Sequence, residues 1–204
     1  EVVPIAGREF VPLRSAMGRI LAADIVAPHD VPAHDNSAMD GYAVSFDSLS
    51  TESETRLNVV GTAFAGSAFS GLVGKGQAVR LMTGAVLPAG ADTVVVQEAT
   101  RVEDGAVFVP TGQKQGQNTR RAGEDLARGA VALAAGKRVG PAELGLIASL
   151  GVGEVAVRRR LRVAFFSTGD ELASIGTPLA PGQIYDSNRY TLHGLLTRLG
   201  ADII

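Results

Sequence analysis

Between residues 57 and 110, short β-branched runs are separated by glycine-rich turns, and this pattern restricts the fold more than any other feature of the chain. Leu57-Asn58-Val59-Val60 and Ala78-Val79-Arg80-Leu81-Met82 read as strands. Thr93 to Glu98 and Ala106 to Val109 flank Asp104-Gly105, a pair suited to a two-residue type I′ hairpin. The 25 glycines and an aromatic content of 5% favour many turns and short strands over a large aromatic core. A small barrel or compact sandwich is the expectation for this stretch.

The flanks read differently. Leu13, Met17, Ile20 and Leu21 fall at i, i+4, i+7 and i+8, which predicts a short helix over 14–23. Pro28 and Pro32 stop it. Gly140-Pro141-Ala142-Glu143 opens a second helix, with Pro141 in the first turn and Gly151 or Gly153 as its cap. Glu154 to Val157 reads as a strand. Helix and strand on both sides of the β-rich stretch suggest that the stretch is an insertion. At Leu161 the register changes. Val163-Ala164-Phe165-Phe166 is a continuous apolar run, as in strands buried on both faces. A polar loop follows, then a helix over 188–199 with Gly200 as its stop, and Ala201 to Ile204 as the next strand. That is one βαβ unit, too little for a domain, so a second α/β domain starts near residue 161. Glu1 and the apolar pair Ile203-Ile204 suggest that both ends are cut.

Composition removes several function classes. A formal net charge of −2, from 19 basic and 21 acidic residues, gives no general attraction for nucleic acid or anionic membrane. There is no cysteine, so thiolate and Cys–metal chemistry are excluded. No apolar run approaches the roughly 18 residues needed to span a bilayer. Glu1-Val2-Val3-Pro4 shows no signal-peptide pattern, and the default location is the cytoplasm.

Four segments concentrate polar chemistry. Asp35 to Val44 holds two carboxylates, an amide, a hydroxyl and a phenol; it suits a metal or polar ligand, and on composition alone a hydrogen-bonded turn is the better reading. Gln117 to Asp125 carries paired arginines and acids, suited to an oxyanion or equally to local ion pairs. Ser167-Thr168-Gly169-Asp170-Glu171-Leu172 follows the apolar run, where open α/β sheets bind ligands; its acids and hydroxyls suit Mg²⁺ with a phosphorylated substrate. Met82-Thr83-Gly84-Ala85 ends a strand and reads mainly as a turn. His29, His34 and His193 do not form a metal set. Arg158-Arg159-Arg160 and Arg162 read as solvated charge on a strand edge, and Val73-Gly74-Lys75-Gly76 lacks the phosphate-loop spacing.

Taken in order, these segments resemble the molybdopterin molybdenumtransferases, the MoeA-type bacterial enzymes and the gephyrin E domain. The resemblance runs from Asp35–Val44 through Leu81–Ala85, Val96-Gln97-Glu98, Gly116 to Asp125, Ile147–Gly151 and Phe166–Leu172 to Gly182–Arg189. It implies an α+β multidomain fold. Residues 1–26 and 130–160 would form an elongated, discontinuous α/β first domain for dimerisation. Residues 27–129 would be an inserted β-rich lobe, and 161–204 the truncated start of a parallel-sheet, molybdopterin-binding α/β domain. The implied reaction is insertion of molybdate into adenylylated molybdopterin with release of AMP, supported by Mg²⁺, in a cytoplasmic homodimer. The cleft would lie between the third domain of one subunit and the first two of the other. Other molybdenum cofactor biosynthesis proteins are implied partners; nucleic acid and membrane are not. By position, Asp40, Thr83, Asp125 and Glu171 match catalytic residues, Ser167, Thr168 and Asp186 cofactor-binding ones, and Asp170 with Glu171 a metal site. The family's later glycine-rich and lysine-containing motifs are absent, so the alternative is an inactive module serving dimerisation or scaffolding. An unrelated nucleotide-binding α/β enzyme predicts a glycine-rich loop after Phe166, and Ser167–Leu172 holds a single glycine.

Overall fold

The structure, a computed structural model, describes residues 7–204. The leader reading at Glu1–Pro4 and the first six residues of the expected first domain lie outside the described residues. The strands are, in order, Arg8–Pro12 (β1), Ile25–Val26 (β2), Asn36–Ser37 (β3), Gly41–Val44 (β4), Thr55–Ala63 (β5), Gln77–Leu81 (β6), Thr93–Val96 (β7) and Arg101–Glu103 (β8). Ala106–Val109 (β9), Thr119–Arg120 (β10), Val131–Leu133 (β11) and Glu154–Arg158 (β12) follow. Arg162–Val163 (β13), Leu172–Ala173 (β14), Ile184–Tyr185 (β15) and Asp202–Ile203 (β16) complete the set. Pro141–Ser149 (α1) and Ser187–Arg198 (α2) are the two α-helices among the described residues, so the molecule is mainly β.

The chain separates into two compact units, Ile25–Ala132 and the remainder. The first is built on a six-stranded sheet in the order β7-β4-β6-β5-β9-β8. Its pairs are antiparallel except β5 with β6. Both faces are covered. Tyr42 and Val44 of β4 point into one core with Leu57, Val95 and Val107, while Ala43 points into another with Val79, Leu81 and Val94. Two-sided burial explains why Val94-Val95-Val96 is continuously apolar rather than alternating. Asp104 and Gly105 make the predicted hairpin, with φ of 47° and 73°. Its first strand is β8; the expected partner, Thr93 to Glu98, pairs with β4 and ends in a 3₁₀ turn at Gln97–Ala99.

In the second unit, β1 and β12 pair antiparallel, from Arg8 opposite Arg158 to Pro12 opposite Glu154. The helix expected over 14–23 does not form. A 3₁₀ turn at Leu13–Ala16 is followed by Gly18 at φ 76°, and the chain turns back. Ile20 and Leu21 then bridge to Arg138 and Val157. The apolar spacing is met by edge bridges, and a glycine in the left-handed region ends any helix there. α1 forms as expected. Glu143 Oε2 accepts the Gly140 N–H at 2.9 Å, one half of a capping box since Gly140 has no side chain. Ile147 and Leu150 are fully buried, and Leu144 is half-buried.

Residues 161–204 carry the parallel pairs β13–β16 and β14–β15, with α2 between β15 and β16. The run expected to be buried on both faces is a two-residue strand, and Phe166 is 85% exposed. One helix and four two-residue strands cover too little apolar surface to enclose it.

Candidate active site

In the β lobe, strand register builds a polar corner. β4 starts at Gly41, opposite Leu81 of β6 and Val96 of β7. Asp40 therefore sits where the entrance of β4 meets the exits of both neighbours. Thr83 donates to Asp40 Oδ1 from its backbone N–H and its hydroxyl, each at 2.7 Å. The Asp40 carbonyl accepts the Gln97 N–H at 3.1 Å. Gly41 is required here: a Cβ would lie 2.2 Å from the Val95 carbonyl oxygen. The Thr83 N–H first, then its hydroxyl, holds the Asp40 carboxyl below the usual carboxylate range; burial opposes this and the Arg80 charge adds to it. Arg80 donates to Gln97 Oε1 at 3.1 Å, and Gln97 donates to Glu98 Oε1 at 3.2 Å. The corner thus offers a fixed anion, a hydroxyl, a cation and an amide within one sheet end.

Sequence reading singles out Asp40 and Thr83, places Gln97 in a matching motif without a role, and misses Arg80. The available signal was a lone arginine inside the apolar strand Ala78–Met82.

The Gln117–Asp125 segment lies beside this motif. β10 pairs with β3, placing Thr119 opposite Ser37 and Arg120 opposite Asn36. Asp35 Oδ1 accepts the Ala122 N–H at 2.7 Å. Asp125 is held by Arg120 at 2.5 Å, and Glu124 by the same guanidinium at 3.3 Å. The Arg120–Asp125 pair is an exposed ion pair, so solvent screens it and its role is to order the loop rather than to stabilise the fold.

In the other unit, a cleft of about 310 Å³ is lined by Ser167, Gly169, Asp186, Arg189 and Tyr190, with Phe165 and Phe166 on its apolar side. Asp186 caps α2 by accepting the Arg189 N–H at 3.1 Å, which commits one of its oxygens. Thr168, Asp170 and Glu171 are exposed and do not line the cleft. The Glu171 carboxylate lies over Gly169, where a Cβ would stand 2.5 Å from Oε2. Among the described residues no three His, Asp or Glu side chains gather to hold a metal. Arg189, which sequence reading places in a matching motif without a role, and Tyr190, which it leaves out, line this cleft; the signal was the polar run Asp186 to Tyr190 directly after a strand.

The sequence model of the MoeA N-terminal region (domain I and II) matches residues 1–151. The chain belongs to the molybdopterin molybdenumtransferase family. Among curated members, the molybdopterin molybdenumtransferase of Haemophilus influenzae is 46% identical over 197 residues, covering 96% of this chain and 48% of its own length. That of Bacillus subtilis is 38% identical over 200 residues, covering 95% and 46%. A crystal structure of a molybdopterin biosynthesis MoeA protein from Pyrococcus horikoshii superposes with a TM-score of 0.89 at 36% identity, over 98% of this chain and 52% of that one. The chain spans about half the length of the curated relatives it matches. No helix of the described residues is long and apolar enough to cross a membrane.

Proposed function

We propose that this protein takes part in molybdenum cofactor biosynthesis, in the insertion of molybdate into adenylylated molybdopterin with release of AMP. The observation that supports it best is the Asp40–Thr83 corner, built in a family whose relatives bear that enzyme name. A carboxylate held ionised by two donors is a poor proton shuttle and a good electrostatic anchor. In this reading Asp40 orients a cationic or hydrogen-bond-donating part of the substrate complex, and Arg80 balances negative charge beside it. Thr83 fixes the Asp40 rotamer. Asp125, ordered by Arg120, supplies a second acceptor in the same lobe.

The Ser167–Asp186 cleft is the proposed binding place for the phosphate-bearing pterin. Ser167 and the Arg189 guanidinium offer donors to phosphate oxygens, and Tyr190 and Phe165 offer ring faces to the pterin. Thr168 stands next to Ser167 as a further hydroxyl donor. Magnesium fits this segment in one form only. The described residues build no three-carboxylate cage, and Mg²⁺ commonly takes one or two carboxylates with waters and phosphate oxygens completing its shell. The neighbouring Asp170 and Glu171 meet that requirement and would hold it. When bound, it neutralises phosphate charge.

We further propose a cytoplasmic homodimer joined through the unit that contains α1, where Phe10 is 68% and Leu146 36% exposed. Other proteins of the same biosynthesis would be its partners. The reading is tested by supplying molybdopterin-AMP and molybdate to the full-length protein. Molybdate-dependent AMP release is the expected result, and its absence in a folded sample rejects the proposal.

A further inference from the structure

Arg158-Arg159-Arg160, which sequence reading treats as solvated charge on a strand edge, lie on the wall of a pocket. The pocket measures about 360 Å³ and shares no residue with the Ser167–Asp186 cleft. Four chain segments converge on it. The Arg158 N–H donates to the Ile20 carbonyl at 2.7 Å, and the Val139 N–H donates to the Arg19 carbonyl at 2.8 Å. The Asp202 N–H donates to the Leu161 carbonyl at 2.9 Å, which carries the end of α2 to the same rim. The result gathers Arg19, Arg138, Arg158, Arg159, Arg160 and Arg198 around one opening.

These arginines differ from others in the chain. Arg101 and Arg120 each pair with two carboxylates. At the pocket, Arg19 is tied to Glu9 and to the Arg158 carbonyl, and Arg160 reaches Asp202 only at 3.8 Å. Arg138, Arg159 and Arg198 have no carboxylate within ion-pair distance among the described residues. Like charges held together repel, and an anion in their midst relieves that repulsion. Guanidinium forks match phosphate oxygens in pairs. The rest of the lining is apolar, from Met17, Ile20, Leu161, Leu196 and Leu199. A fully hydrated inorganic ion has no use for that surface, whereas a phosphate ester with an apolar body covers it.

We propose that this pocket is a binding site for a small phosphate ester, its phosphate groups held by Arg138, Arg159 and Arg198 and its apolar part seated on Ile20, Leu196 and Leu199. It is independent of the proposed molybdenum chemistry.

Calorimetric titration of the protein with ATP, inorganic triphosphate and adenosine, at low and at physiological salt, tests it. Saturable ATP binding below about 1 mM is expected, weaker for triphosphate, undetectable for adenosine and reduced by salt. Arg138→Gln and Arg159→Gln should each weaken ATP about tenfold, the effect of losing one charge-assisted contact. Both side chains are exposed and lack ion-pair partners among the described residues, so the variants should fold. Arg56→Gln, an exposed position in the β lobe, should change nothing. The proposal is overturned if ATP does not bind, or if the two variants bind it like the parent. It is also overturned if triphosphate binds as tightly as ATP, or if Arg189→Gln in the other cleft abolishes binding while Arg138→Gln does not.

Discussion

The β lobe and the 161–204 segment hold their candidate residues in opposite ways. In the lobe, Asp40 stands on a sheet buried on both faces, and two Thr83 bonds fix its carboxylate. In 161–204, Ser167 and Asp186 border a cleft whose apolar neighbours are open, with Phe166 85% and Ile175 58% exposed. α2 has no buried residue. Burial therefore separates a fixed electrostatic corner from an open polar cleft.

The largest expected effect lies at Gly41. Gly41→Ala places a Cβ against the Val95 carbonyl, in a backbone contact that no side-chain motion relieves. The variant should lose more than about 4 kcal/mol or fail to fold its lobe, measured by denaturant unfolding. A near-normal midpoint would mean that the sheet end is plastic, and the contrast would weaken.

Truncation of buried leucine sharpens the comparison at intermediate size. Leu81→Ala, at a fully buried position, should cost about 2–5 kcal/mol. Leu195→Ala on α2, 51% exposed, should stay within about 0.5 kcal/mol. Equal losses would show that α2 is packed as tightly as the sheet.

The smallest effect is a titration. Asp40 is depressed, so its contribution to stability is present above the unfolded aspartate range and is lost as pH falls through its lower folded value. Carboxyl NMR should show Asp40 still ionised in the ordinary aspartate range. Thr83→Val removes the hydroxyl but keeps the backbone donor, the larger cause, so the titration should move only part of the way back. No movement would remove the hydroxyl from the account.

The legible parts of the fold were those set by local chemistry. Asp104-Gly105 demanded a primed turn, and Pro141 with Glu143 demanded a helix start. The helix over 14–23 was misread because four apolar residues at helical spacing outweighed a single glycine, and Gly18 decided the backbone. The Val163–Phe166 run was misread because continuous apolarity marks a buried strand only where neighbouring strands pair along it, and here pairing stops at Val163. At the site, Asp40 and Thr83 were both singled out, yet their contact spans 43 positions and depends on β4 lying between β6 and β7. The contact of Arg80 with Gln97 was illegible for the same reason, since only the register brings them to one sheet end.

The most direct test of the central claim, that the Asp40 corner is built for chemistry rather than for stability, is Asp40→Ala in the full-length protein. Molybdate-dependent AMP release and thermal unfolding would be measured on the same sample. The account predicts a loss of release of about a hundredfold or more, the size expected for one preorganised electrostatic group. It predicts a fall in Tm of no more than about 5 °C, since only two exposed hydrogen bonds are lost. Full activity, or a loss that simply tracks unfolding, would contradict it.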